Sequence, residues 1–151
     1  MTAKAIELVL LANVASTLFM TGLIWFVQIV HYPLFAQSGR DQFAAYHSAH
    51  SAATTRLVAV PMLIEMITAI ILAIAPPAPG VIAASWAGLG LIVLIWLSTA
   101  ALQIPNHTRL STGFDARTHR SLVRGNWIRS IGWSVRTALM LTVLWKTMVR
   151  A

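Results

Sequence analysis

No cysteine occurs among the 151 residues, which excludes disulfides, thiolate metal sites and cysteine nucleophiles. Charge is also scarce. Only 10% of the residues are Asp, Glu, Lys or Arg, against about 25% in an ordinary soluble domain, too few to clothe a water-facing surface. Acids are the scarcest of all, 4 against 11 Lys and Arg, for a formal net charge of +7. In a polar chain such an excess would suggest nucleic acid. Here 58% of the residues are hydrophobic and the mean hydropathy is +0.74, so the basic groups are better matched to a lipid headgroup layer. The expected partner is a lipid bilayer, with no nucleic acid. Any metal ligand has to come from five histidines and the few carboxylates.

Four apolar stretches, at about 6–31, 57–75, 81–104 and 127–148, each approach the roughly 20 residues that a helix needs to cross a bilayer. They predict an all-α integral membrane protein, a four-transmembrane-helix bundle forming one domain over residues 1–151. The first stretch begins after Lys4 and is expected to stop at Pro33, which lacks the N–H to continue a helix. It is too long for a signal-peptide core and no small-residue cleavage site follows, so it reads as a retained span. Ala75-Pro76-Pro77-Ala78-Pro79-Gly80 predicts a tight hairpin between spans two and three. Ser38 with Asp41 three places on reads as a capping box, after which residues 43–56 carry a helix toward span two, entering the hydrocarbon near Arg56. Ser111-Thr112-Gly113-Phe114-Asp115 reads as a second turn, again followed by an Arg-rich helical approach.

The halves rhyme. Each has a span ending in Gln-Ile near a proline (Gln28-Ile29 and Pro33; Gln103-Ile104 and Pro105), then a polar connection with His, then a span entered at Arg. This pattern suggests a parallel two-fold repeat of helix pairs about the membrane normal. Arg40, Arg56, Arg109, Arg117, Arg120, Arg124 and Arg129 share one side, against Lys4, Lys146 and Arg150 on the other. By the positive-inside tendency, the chain is expected in the cell membrane with its His- and Arg-rich loops cytoplasmic and both termini outside.

Polar residues recur three or four apart along each span, which places them on one helix face. Span one gives Asn13, Thr17, Thr21, Ile24, Gln28 and His31; span two gives Phe43, His47, His50, Thr54, Leu57, Pro61, Glu65 and Thr68. Span three gives Ser85, Ile92, Trp96, Thr99, Gln103 and His107, and span four His119, Asn126, Arg129, Trp133 and Arg136. Unsatisfied polar groups facing lipid are expensive, so these stripes are expected inward. Packing glue accounts for most of the Ser, Thr and Gly residues. It does not easily account for Glu65 and Arg136. Glu65 lies about 13 Å beyond Arg56 and Arg136 about 10 Å beyond Arg129, at 1.5 Å per residue. These matched depths predict that the two pair across the core, or that Glu65 is protonated; an ion pair fixing helix register and a catalytic or proton-handling role are both open.

His31, His47, His50 and His107 all fall on one side of the expected membrane, with His47 and His50 one turn apart. Nitrogen ligands from three helices suit a transition metal, with iron or copper favoured over zinc in the absence of thiols. Gln28 or Glu65 would then be a deeper ligand or support one. His31 and His107 are also placed to clamp a haem, which would be non-covalent without cysteine. Against this stands the plainer reading of interfacial histidines as amphipathic anchors. Trp86 and Trp145 read as interfacial anchors. Trp25, Trp96 and Trp133 read as core residues that would also wall a pocket for an aromatic or lipidic substrate, together with Gln28, Gln103 and Arg136.

Ile104-Pro105-Asn106-His107-Thr108-Arg109-Leu110 and Asn126-Trp127-Ile128-Arg129, with Gly22, Pro33-Leu34 and Pro61, resemble the anthrone oxygenase-like family of small four-helix membrane proteins. That family carries Val-Pro-x-Asn-x-x-Leu after its third helix and enters its fourth through Trp and Asn-x-x-Arg. The resemblance implies oxygen-dependent oxidation of a hydrophobic, often polycyclic molecule, with Asn126 and Arg129 binding substrate or an oxyanion. His107 stands where the family usually has Asn, and His31, His47 and His50 go beyond the shared pattern. The expected function is therefore a metal-dependent membrane oxidoreductase or oxygenase, with Asn126, Arg129 and Glu65 as catalytic candidates. The alternatives are a transporter or metal-handling protein, with Glu65, Arg136, Gln28 and Gln103 along its path, and a structural membrane subunit. Association into a homo-oligomer is compatible with each.

Overall fold

A computed structural model describes residues 1–149, and among them there are helices and turns but no strand. Helix α1 (Ala3–Phe26) passes through a wide π turn at Val27–His31 into the short α2 (Tyr32–Phe35). Helix α3 runs over Arg40–Ile74, and a hairpin with one 3-10 turn at Pro79–Val81 leads into α4 (Ile82–Ser98). A second π turn, Thr99–Gln103, joins α4 to α5 (Ile104–Leu110), and α6 covers Ala116–Met148. With α1–α2 and α4–α5 each a single rod, four rods make the bundle. Neighbours in sequence pack side by side, and α6 returns against α1 to close the ring. Short connections make this an up-down-up-down arrangement.

Three rods, Ala3–Phe35, Arg40–Ile74 and Pro79–Leu110, are long and apolar enough to cross a membrane. Helix α6 is as long, but its first two-thirds carries Arg117, Arg120, Arg124, Arg129 and Arg136.

Two local expectations are corrected. Pro33 does not end the first helix, which continues to Phe35. A proline's ring clashes with the carbonyl four residues earlier, here Ile29, and Ile29 lies within the π turn. There the Tyr32 N–H reaches back five residues to the Val27 carbonyl, so the backbone is already opened where proline needs room. Pro105 stands in the same relation to the second π turn, in which the Ile104 N–H bonds the Thr99 carbonyl. The capping box at Ser38 does not form either. Gly39 is the N-cap of α3 and no side chain caps it. The Ser38 N–H still bonds the Phe35 carbonyl at 3.2 Å, so that residue belongs to the turn leaving α2. Asp115 caps α6 instead, accepting from the Thr118 N–H at 2.7 Å, and this backbone bond holds its carboxyl below the usual range.

The stripes face inward. Asn13, Thr17, Gln28, His47, Glu65, Ser85, Gln103, Asn126, Arg129 and Arg136 are buried, while Leu8, Phe19, Ile67, Leu97 and Ile131 are exposed. Leu57 departs from its stripe and is 51% exposed.

Glu65 and Arg136 pair as their matched depths predict, Oε1 to Nε at 2.7 Å, with both side chains fully buried. The surroundings satisfy the remaining valences. Thr17 donates to Glu65 Oε1 at 2.7 Å and Trp133 Nε1 to Oε2 at 3.0 Å. Arg136 also donates to the Gly88 carbonyl and to Asn13 Oδ1, and Asn13 in turn donates to the Glu65 carbonyl and Thr68 Oγ1. Such a pair tolerates burial because few lone pairs or protons are left over.

Gly88 makes room for this network. A Cβ there would lie 3.0 Å from Met140 Sδ and 3.1 Å from Arg136 NH1. Because Arg136 is pinned by Glu65, Gly88→Ala is expected to destabilise the bundle by about 1–3 kcal/mol, as overpacking does. Gly90→Ala, whose Cβ meets nothing within 4 Å, is the control. Midpoints of unfolding in sodium dodecyl sulfate compare the two, and equal midpoints would refute this close-packing argument.

Candidate functional site

The other end of the bundle is built differently. The π turns bring α2 and α5 over the start of α3, and four histidines gather there. His31 Nε2 lies 2.9 Å from His50 Nδ1, and His47 Nε2 lies 3.0 Å from His107 Nδ1. The ring centroids of His50 and His107 are 6.3 Å apart, so the two pairs adjoin. Tyr32 Oη is 3.0 Å from His107 Nε2, and Thr54 Oγ1 is 3.2 Å from His50 Nδ1. Phe35 and Phe43 wall the cluster, with Phe43 stacked on His47 at 5.5 Å. His119 stands apart from the pairs, its Nε2 bonding the Tyr32 carbonyl at 2.7 Å.

Nitrogens 2.9–3.0 Å apart have the separation of two imidazoles sharing a proton. They also match neighbouring ligands on an ion whose bonds are about 2.0–2.1 Å long. His47 Nδ1 is buried without a partner. The rings form two pairs rather than a ring about one point, and among the described residues no three His, Asp or Glu side chains form a group that could hold a metal ion. The donor set thus has the chemistry for a metal, arranged two by two.

Beside the cluster opens a cavity of about 490 Å³, within the range that holds a drug-sized ligand. Its wall is apolar along Met20, Leu23, Ile24, Val27 and Val58. Its polar end presents His50, His107, Tyr32, Gln103 and Arg129, and exposed Ser48, Thr55, Ile104 and Thr108 form the mouth.

Arg129 is the unusual member. It is 8% exposed, and among the described residues no carboxylate reaches it. Its NH1 donates to Asn126 Oδ1 at 3.1 Å, its guanidinium lies 5.3 Å from the Trp133 ring centroid, and the Tyr32 hydroxyl is beside it. Its Nε has no partner. Asn126 is held in turn, donating to Gln28 Oε1 at 2.8 Å while Gln28 Nε2 donates to the Val123 carbonyl. Gln103 is 2% exposed with both amide atoms unpartnered.

The sequence-predicted residues therefore divide. His50, His107, Gln103 and Arg129 line the cavity, with His31 and His47 one ring behind. Asn126 and Gln28 hold Arg129 from outside it. Glu65, Arg136 and Trp133 belong to the buried ion-pair network and do not line the cavity. Trp25, 37% exposed, bonds Ser134 and packs edge-on to Trp127, and Trp96 has a buried, unpartnered Nε1. Neither lines the cavity. Tyr32 is the residue that sequence reasoning missed. Its place between His31 and Pro33 was the available signal, because a helix that continues past Pro33 turns Tyr32 inward.

Compared with family models, curated proteins and solved structures, the chain matches none.

Proposed function

We propose that the chain is a four-span integral membrane protein in which α6 crosses beside the three apolar rods, and that it is an oxygen-dependent oxidoreductase acting on a hydrophobic substrate. The carrying observation is that His50 and His107 meet a cavity with one wall built from Met20, Leu23, Ile24, Val27 and Val58. The inward polar face of α6 and the outward Ile131, Val135 and Leu141 support a fourth span. The likeness to the anthrone oxygenase-like group supports the reaction class, and the excess of arginine at the histidine end supports a cytoplasmic placement of that end.

His47 and His107, with His31 and His50 alongside, would hold an iron or copper ion. Bound there, the metal would supply activation of dioxygen. The residues around it have definable tasks. Tyr32 orients the His107 ring through Nε2. Met20, Leu23, Ile24 and Val27 hold apolar substrate and exclude water. Asn126 fixes Arg129, which holds negative charge carried by the substrate.

A continuous transport path is less well supported. The Glu65–Arg136 network fills the core beyond the cavity and leaves no unpaired atom on either side chain.

Elemental analysis and the visible spectrum of detergent-purified protein test this reading, together with oxygen consumption on a panel of hydrophobic phenols and acids. Near-stoichiometric iron or copper with substrate-dependent oxygen uptake is the expected result. Metal-free protein that neither takes up added iron or copper nor consumes oxygen would overturn it.

A further inference from the structure

The chain has 4 acidic residues, and the two nearest the core or α6 are engaged: Glu65 with Arg136 and Asp115 with the start of α6. Among the described residues Arg129 is therefore a buried cation without an anion, which is costly unless something else brings the charge. It shares the cavity wall with Gln103, whose amide donor and acceptor are both unpartnered although the residue is 2% exposed. Two residues of one cavity wall thus hold unused hydrogen-bonding capacity, at atoms that neighbouring side chains cover.

A Cβ on Gly125 would lie 3.1 Å from Gln103 Nε2, so glycine leaves the amide room on the side of α6. Arg129 already spends NH1 on Asn126, and its Nε is free. A guanidinium edge containing Nε is a planar fork that fits the two oxygens of a carboxylate.

We infer that Arg129 and Gln103 seat the head of a hydrophobic monocarboxylate whose apolar body lies along Met20, Leu23 and Ile24. The inference deepens the proposed function by naming the substrate class, and it rests on that reading only for the ligand being a substrate. On binding, the two side chains turn their covered donors to the cavity, the carboxylate supplies the missing negative charge, its oxygens accept from Arg129 and from Gln103 Nε2, and neutralisation makes binding selective for the ionised head. A phosphate headgroup is bulkier and more highly charged than one guanidinium and one amide can match.

The test measures binding, without turnover, on full-length protein in nanodiscs of zwitterionic phosphatidylcholine, stripped of metal by chelator. Radiolabelled dodecanoate is bound to saturation and competed with unlabelled dodecanoate, methyl dodecanoate and dodecyl phosphate. The expected result is one saturable site per chain, with the methyl ester and the phosphate each at least about tenfold weaker competitors. Arg129→Gln is expected to weaken dodecanoate by about tenfold or more without affecting the ester, and Gln103→Leu to weaken it less. If Arg129→Gln does not fold, Arg129→Lys takes its place, keeping the charge, losing the fork and weakening dodecanoate. Absence of saturable binding, equal competition by the ester, tighter competition by the phosphate, or wild-type affinity in a folded Arg129 variant would overturn the inference. Because no metal or oxygen enters the assay, its failure leaves the oxidoreductase reading to its own test, and failure of that reading leaves this one standing.

Discussion

Glu65→Met is expected to cost the bundle about 3–5 kcal/mol, the penalty for leaving a buried charge without its partner. Arg136 would keep the Gly88 carbonyl and Asn13 as acceptors, but neither is an anion. Thr17 and Trp133 would lose their common acceptor as well. The double variant Glu65→Met with Arg136→Met is expected to recover much of that loss, because replacing both members of a buried pair by apolar residues of similar volume is often neutral. Unfolding in sodium dodecyl sulfate, read as a double-mutant cycle, measures the coupling. A single variant costing under about 1 kcal/mol, or a double variant no better than the sum of the singles, would show that the pair is not what holds these helices in register.

His107→Ala is expected to reduce bound metal and oxygen uptake by about 100-fold or more, since even the groups supporting a ligand are commonly worth 10–100-fold. The size of the effect follows from position. His107 meets His47 through Nδ1 and Tyr32 through Nε2, and its ring adjoins His50. Two controls locate the cause. Tyr32→Phe removes only the hydroxyl that orients His107 and is expected to cost about tenfold. His119→Gln keeps a donor toward the Tyr32 carbonyl and is expected to leave metal content unchanged. Full metal retention in both His107→Ala and His31→Ala would remove the histidines from the proposed centre.

Much of the architecture was legible because the geometry of a long apolar helix imposes few choices. The hydrophobic lengths, the Pro-rich hairpin at 75–80 and the inward polar stripes all follow from hydropathy and a period of 3.6 residues. The pairing of Glu65 with Arg136 was legible for a related reason, since depth along a helix is a simple count of residues. Pro33 was misread because an extra residue per turn leaves no mark in composition, and the π turn that accommodates it is set by the packed bundle. The convergence of the histidines could be placed at one end, but not their division into two pairs, which depends on side-chain rotation about α2, α3 and α5. Arg129 was the subtler case. Counting four acids against eleven basic residues shows that some cations lack partners, and only the fold shows that one of these is buried on the wall of a cavity.

The wide turns at 27–31 and 99–103 divide the molecule into two differently bonded parts. Beyond them toward the chain termini, the Glu65–Arg136 network locks the rods together. On the other side, α2 and α5 are the short ends of their rods beyond the π turns. Substitutions that retune the cavity end can therefore be made without touching the clamp that keeps the bundle assembled.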